Sequence, residues 1–168
     1  MRLLTITLIA SACFFTSILF AQSGLADVAN IKRKWQDISY ANLSPAAKLD
    51  IYLPNVGDEQ LNPMLKGLNH GYAIVSMNYR MSGKALFPAN INDVKAAIRW
   101  VKANAAKYKF SPKRIALWGR SAVGNLAALA GTSGDVKELE DMSMGNANQS
   151  TRVMAVVDWV GPNFFING

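Results

Sequence analysis

Apolar strand segments and helical segments alternate along the second half of the chain, and this alternation limits the folds it can adopt. Residues 72–77 form a short apolar run typical of a buried strand. Residues 91–108 carry apolar side chains at helical spacing. Residues 114–118 predict a strand, the run from Ser121 to about Ala130 predicts a helix, and residues 153–159 predict a last strand. Such an order predicts an α/β fold with a mostly parallel sheet and flanking helices.

A β-hairpin is predicted ahead of this alternation. Residues 38–40 and 49–53 alternate polar and apolar side chains, and residues 42–46 supply the turn. In the helix at 91–108, Lys95, Arg99 and Lys102 lie away from the apolar face, which predicts a solvated basic stripe.

The first 26 residues have the pattern of a secretory signal peptide. Arg2 precedes a long apolar run, and Gly24 and Ala26 are small residues at the −3 and −1 positions of a cleavage site after Ala26. We therefore expect a signal peptide at 1–26, a domain at 27–168, and a secreted or periplasmic location. The alternative is an uncleaved membrane anchor, because residues 3–20 approach the length of a membrane span. Lipid attachment at Cys13 is disfavoured by the apolar residues that follow it.

Charge and composition exclude several classes of partner. The net charge is +7, but the basic residues are scattered among acidic ones, without a basic block interleaved with aromatics. We therefore expect no nucleic-acid partner, and no membrane association once the signal peptide is removed. The sequence shows no metal-ligand cluster and no glycine-rich phosphate loop, so we expect no metal and no cofactor.

The stretch WGRSAVG places a serine between the predicted strand and helix. A nucleophilic serine on such a turn has a glycine two residues before it and another two residues after it. Gly119 occupies the first position, whereas Val123 occupies the second and Gly124 comes one residue late. The β-branched Val123 predicts a clash or an outward shift of the helix. Ser121 would then be a nucleophile with the amide of Ala122 as an oxyanion donor, or simply a helix cap.

Five segments, taken in order, resemble the secreted α/β-hydrolase esterases and lipases. The resemblance is strongest to the branch of bifunctional feruloyl and acetyl-xylan esterases and hormone-sensitive-lipase-like enzymes. The segments are DISYANLSPAAKLDIYLPN, GYAIVSMNYRMSG, FPANINDVKAAIRWVKANAAKY, SPKRIALWGRSAVGNLAALAGTS and VVDWVGPNFF. The resemblance implies a partial α/β-hydrolase fold and hydrolysis of a small ester or acylated carbohydrate. It places Ser121 at the nucleophile position and Ala122 at an oxyanion amide.

The chain departs from this family in its catalytic partners. In the family, a histidine-glycine-glycine stretch supplies further oxyanion amides, and the acid and histidine of the triad follow later strands. The single histidine here, His70, precedes strand 72–77 and is expected at the sheet edge opposite Ser121. We expect the acidic residues Asp135, Glu138, Glu140 and Asp141 to lie in a solvated loop.

These departures predict impaired or no activity for the chain as it stands. The alternatives are a non-catalytic secreted binding protein and a gene fragment of an α/β-hydrolase.

The family strand that follows the hairpin also has no counterpart between residues 55 and 63. In the family that strand lies between those equivalent to 72–77 and 114–119. We therefore expect these two strands either to pair directly or to leave a gap with unpaired backbone groups, and we expect exposed sheet edges.

Overall fold

A computed structural model describes residues 4–10, 31–53 and 65–162. The expected cleavage site after Ala26, Cys13 and the link at residues 55–63 lie outside these described residues. Within the described part of the chain, no helix is long and apolar enough to cross a bilayer.

The described strands form one sheet with helices on its faces. The strands are β1 (Leu4–Ala10), β2 (Lys34–Ser39), β3 (Lys48–Tyr52), β4 (Ala73–Met77), β5 (Phe110–Arg120) and β6 (Ala155–Trp159). Their order across the sheet is β2-β3-β4-β1-β5-β6. The pairs β4–β1, β1–β5 and β5–β6 are parallel, whereas β2–β3 and β3–β4 are antiparallel. The predicted partial α/β-hydrolase fold, with a hairpin and a mostly parallel sheet, is confirmed.

The long predicted helix is interrupted near its end. It divides into α1 (Ala89–Ala103) and α2 (Ala105–Tyr108), with Asn104 between them donating its side-chain amide to the carbonyl of Trp100 at 2.9 Å. Lys109 then adopts a left-handed conformation and ends α2. The predicted apolar face is buried in the core, which confirms the helical periodicity; its members are Val94, Ala97, Ile98, Val101, Ala105 and Tyr108.

Residues 4–10 overturn the prediction for the centre of the sheet. Strands β4 and β5 neither pair directly nor leave a gap, because β1 lies between them and is parallel to both. Leu8, for example, is in register with Val75 on one side and with Leu117 on the other. The strand expected to be missing is thus replaced by a segment from the predicted signal peptide.

The predicted basic stripe on α1 is also wrong for two of its three residues. Lys95 and Arg99 are fully buried, because the connection after α3 (Ala122–Thr132) folds back over them. Glu140, expected in a solvated loop, has a side chain only 2% exposed and lies 3.0 Å from Nη1 of Arg99 and 3.6 Å from Nζ of Lys95. Thr151 donates its hydroxyl to the same carboxylate at 2.5 Å.

The connection between α3 and β6 contains short helical turns and is not a solvated loop along its whole length. The predicted helical piece around 136–141 appears as two 3-10 turns, Lys137–Leu139 and Met142–Met144. Glu138 is exposed as expected. The main-chain carbonyl of Asp141 accepts a hydrogen bond from Nη2 of Arg99 at 2.7 Å, so this segment is anchored to α1.

The expected exposed sheet edge is present at β6, the last strand in the sheet order. Val156, Val157 and Trp159 are between about a third and a half exposed on this strand. Apolar side chains on an edge strand with unpaired main-chain groups are the arrangement that invites further strand pairing.

Candidate active site

Ser121 occupies a strained turn between β5 and α3. Its φ of 57° and ψ of −129° lie in a region that non-glycine residues rarely adopt. A helix-capping serine has extended backbone angles and accepts an amide hydrogen bond with its hydroxyl, but the Ser121 side chain makes no capping bond and is exposed. The backbone angles and the missing capping bond therefore differ from those of a helix-capping serine.

Main-chain bonds hold this turn on both sides. The amide of Ser121 donates to the carbonyl of Trp159 in the neighbouring β6 at 2.9 Å, and its own carbonyl accepts from the amide of Asn125 at 3.1 Å. The turn is thus fixed by the sheet edge and by the first turn of α3, and the serine hydroxyl is left to face solvent.

Two glycines allow strand and helix to approach each other at this turn. A Cβ on Gly119 would lie only 2.2 Å from the main-chain oxygen of Val123, and a Cβ on Gly124 would lie 3.2 Å from the carbonyl oxygen of Gly119. The Val123 side chain is buried instead in a small apolar pocket that includes Met77 and Leu117. The clash predicted from Val123 does not occur, because its main chain, not its side chain, meets the strand.

The amide of Ala122 lies at the N-terminus of α3, directly after Ser121. Ala122 is the first residue of α3 and is exposed. The amides of the first helical turn have no intrahelical acceptor and lie at the positive end of the helix dipole. The resemblance implies a nucleophile at Ser121 and an oxyanion donor at Ala122, and both roles stay predictions.

A cleft of about 310 Å³ opens beside the turn. Its walls come from the loop after β4 and from one face of α3: Tyr79, Met81, Ser82, Phe87, Asn90, Ala122, Asn125, Leu126, Leu129 and Pro162. The mixture of aromatic, aliphatic and amide groups fits an uncharged organic group with a few hydrogen-bonding atoms. Trp118, the residue before Gly119, is not part of this lining and packs against Trp159 with ring centroids 6.3 Å apart.

An ion pair between a partly exposed arginine and a buried aspartate holds the loop that forms one wall of the cleft. Arg80, at the start of this loop, donates to both carboxylate oxygens of Asp93 in α1 through its guanidinium, at 2.7–3.1 Å, and through its main-chain amide at 2.7 Å. Hydrogen bonding to Asp93 raises the pKa of Arg80. Sequence reasoning missed this pair, because the two residues are thirteen positions apart and carry no local signal.

Asp158, also missed, connects β6 to the helix of the turn. Its Oδ1 accepts from the amide of Gly161 at 2.8 Å and occupies the space that a side chain at Gly124 would need. An aspartate shortly before a glycine is a recognised turn signal, and it was present in the sequence as Asp158 and Gly161. The carboxylate stabilises this turn, next to the first turn of α3.

His70 does not complete a catalytic triad with Ser121. It is the exposed last residue of the 3-10 helix Leu65–His70, just before the amino end of β4. Ala73 and Ile115 are level in the sheet, since both pair with Ile6. Ser121 lies six residues beyond that level, at least about 20 Å away along the strands. The expected location of His70 at the opposite edge is confirmed.

Asp135, like Glu140, has structural partners within the connection. Asp135 accepts hydrogen bonds from the amide of Thr151 at 2.8 Å, from Arg152 at 2.8 Å and from Ser150 at 3.0 Å. Burial acts to raise the pKa of Asp135, but these donors outweigh it and lower the pKa. Across the described ranges, no three His, Cys, Asp or Glu residues are close enough together to hold a metal ion.

The sheet with its strained serine turn defines an α/β-hydrolase. The sequence model of the BD-FAE family matches residues 52–167, and the chain belongs to that family. It is a partial α/β-hydrolase similar to the hormone-sensitive-lipase-like esterases.

Known proteins agree with this assignment. A probable carboxylic ester hydrolase, LipM, of Mycobacterium tuberculosis is 36% identical over 103 residues, covering 61% of this chain and 23% of LipM. A truncated carbohydrate esterase from gut microbiota superposes with a TM-score of 0.71 at 32% identity, covering 79% of this chain and 57% of that one. A bifunctional GH43-CE protein of Bacteroides eggerthii gives 0.67 at 41% identity, covering 77% of this chain and 21% of its own. The chain thus spans about a quarter of LipM.

Proposed function

We propose that the chain carries the nucleophile half of a carboxylic-ester hydrolase site and has impaired or no turnover on its own. The positive φ of Ser121, on a turn without a capping bond, is the observation that carries the proposal. The esterases among its relatives support ester hydrolysis as its ancestral chemistry. The substrate class that these relatives suggest is a small ester or an acylated carbohydrate.

The chemistry available to the described residues stops short of a full cycle. The Ser121 oxygen attacks the ester carbonyl carbon, the developing oxyanion accepts a hydrogen bond from the Ala122 amide, and the alcohol leaves as the acyl-enzyme forms. The serine proton needs a base for this step, and His70 lies on the opposite sheet edge. Removing the histidine from a serine triad lowers kcat on the order of 10⁶-fold.

The test is hydrolysis of a p-nitrophenyl acetate series by the full chain and by Ser121→Ala. We expect the two to have the same rate within error, with only a trace of acetylated Ser121 in the intact mass of the parent chain. Turnover that disappears in Ser121→Ala would disprove the proposed inactivity while confirming the nucleophile. Turnover that persists in Ser121→Ala would remove Ser121 from the chemistry altogether.

The cleft favours one alternative, a binding protein without turnover. Phe87 is 64% exposed on its wall, and the side chains of Asn90 and Asn125 also line it. Such a protein would bind a feruloyl ester, and Phe87→Ala would weaken that binding. The neighbouring Leu86, 84% exposed and outside the lining, gives the matched control Leu86→Ala. Calorimetric titration without binding would reject this alternative.

Export to the periplasm or the medium remains a proposal from the sequence. It is supported by the pattern of residues 1–26, with cleavage after Ala26. The mass of the chain recovered from each compartment tests the location and the cleavage together.

A further inference from the structure

The position of β1 gives the N-terminal segment a structural role that its signal-peptide pattern does not indicate. Residues Ile6–Ala10 pair one to one with Ala73–Met77, without a register shift. On the other side, Ile6–Ile9 pair with residues 115–118 of β5, and the register shifts only between Leu4 and Ile6. The segment is therefore hydrogen-bonded on both sides, as the inner strand of a parallel sheet.

The two neighbours of β1 contribute buried residues to the core on either side of it. Ala73, Ile74, Val75 and Met77 of β4 are at most 1% exposed, and Leu117 of β5 is 2% exposed. Without β1, the facing edges of these strands would lose their main-chain partners in the middle of the core. Each buried polar group left without a partner costs about 1–3 kcal/mol.

Direct pairing of β4 and β5 is an expensive alternative. Adjacent strands lie about 4.8 Å apart, so removing β1 requires the two halves of the sheet to close by roughly the same distance. Helices α1 and α3 pack on this sheet, and their core residues Val94, Ile98, Leu126 and Ala127 would have to move with it. A close-packed core tolerates such displacement poorly.

The composition of residues 4–10 fits an inner strand of a parallel sheet. Thr5, Ile6, Thr7 and Ile9 are β-branched, and such residues favour strands. Inner strands of parallel sheets are near-continuous apolar runs, because both faces are covered. The BD-FAE match starts only at residue 52, so this strand comes from outside the matched region.

We propose that the slot between β4 and β5 is a strand-binding site for an extended apolar segment in parallel register, and that Leu4–Ala10 of the same chain fills it. One molecule cannot both keep this strand and lose residues 1–26. Folding of the sheet and cleavage after Ala26 are therefore competing fates of the chain.

Hydrogen exchange on the full chain tests this inference without reference to activity. The chain is produced without export, its intact mass confirms residues 1–26, and exchange is followed by mass spectrometry. We expect amides of 4–10 to exchange at least about 1,000-fold more slowly than in the free peptide, with protection like that of β4. Rapid exchange at 4–10 with β4 and β5 still protected would overturn the proposal.

A matched pair of proline variants tests whether residues 4–10 form a strand of the folded sheet or a leader that takes no part in it. Leu8→Pro removes a ladder amide in the middle of β1, and we expect loss of protection at 73–77 and 115–118. Ser23→Pro makes the same substitution outside β1 and is expected to leave both regions as in the parent chain. If Leu8→Pro also leaves them unchanged, β1 is not part of the folded sheet.

Discussion

Replacing Glu140 by glutamine is expected to destabilise the chain strongly, because this carboxylate is the counterion of two buried cations. It lies 3.0 Å from Nη1 of Arg99 and 3.6 Å from Nζ of Lys95, and the side chains of both cations are fully buried. At these distances each attraction is worth about 5 kcal/mol at an effective dielectric constant of about 20. Burial lowers the pKa of Lys95, and Glu140 acts in the opposite direction, so the carboxylate also helps to keep the lysine charged.

The net effect is smaller than these attractions, since desolvation of the ions offsets part of them. Removing one partner of a buried ion pair costs about 3–5 kcal/mol. Glutamine keeps the size of the side chain and some hydrogen bonding, which places Glu140→Gln at about 3 kcal/mol. For a domain of this size, that corresponds to a fall in Tm of about 6–12 °C.

The measurement is urea unfolding followed by tryptophan fluorescence, with Glu138→Gln as the control. Glu138 is exposed and lies two residues away, so its substitution makes the same change in charge without burial. We expect the control to stay within about 0.5 kcal/mol of the parent chain. Equal effects of the two substitutions would refute the argument that the network is buried and coupled.

Two further substitutions test the turn and the connection after α3. Gly119→Ala places a Cβ 2.2 Å from the main-chain oxygen of Val123, and no side-chain rotation can relieve this contact. We expect urea unfolding to show a free energy of unfolding lower by about 3 kcal/mol. The control Gly83→Ala has open space around the added Cβ and should change the free energy of unfolding little. The pKa of Asp135 is lower in the folded chain than its ordinary value of 3.8. The ionised carboxylate therefore contributes its full stabilisation above about pH 3.8, and this contribution is lost as the pH falls through the folded-state pKa. The stability difference between the parent chain and Asp135→Asn should therefore be constant near neutral pH and shrink below about pH 4, and a difference that grows on acidification would contradict the hydrogen bonds from Thr151.

Local patterns in the sequence predicted the regular elements and the serine turn. The spacing of Val94, Ile98 and Val101 was sufficient to place α1 and its buried face, because helical periodicity is a property of neighbouring residues. Gly119 before Ser121, between an apolar run and a helical run, was sufficient to place the strand-to-helix turn. Both features depend on residues within a few positions of one another.

The environment of a side chain depended on partners far along the chain. Lys95 and Arg99 were expected in solvent, since nothing near them in sequence indicates otherwise. Their counterion Glu140 is more than forty residues away, and only the folding of the connection onto α1 brings it there. The clash expected from the Val123 side chain is absent for a related reason, because backbone direction at the turn decides which atoms face the strand.

The sequence by itself determined that this chain forms a mostly parallel α/β sheet with a serine at a strand-to-helix turn, and that its only histidine lies away from that serine. Only the tertiary structure decided which segment forms the middle of the sheet. A short apolar run such as Leu4–Ala10 has the same pattern in a signal peptide as in a buried parallel strand, because both segments lie in surroundings that exclude water and favour apolar side chains. Pairing with β4 and β5 distinguishes the two, and that pairing joins residues more than sixty positions apart.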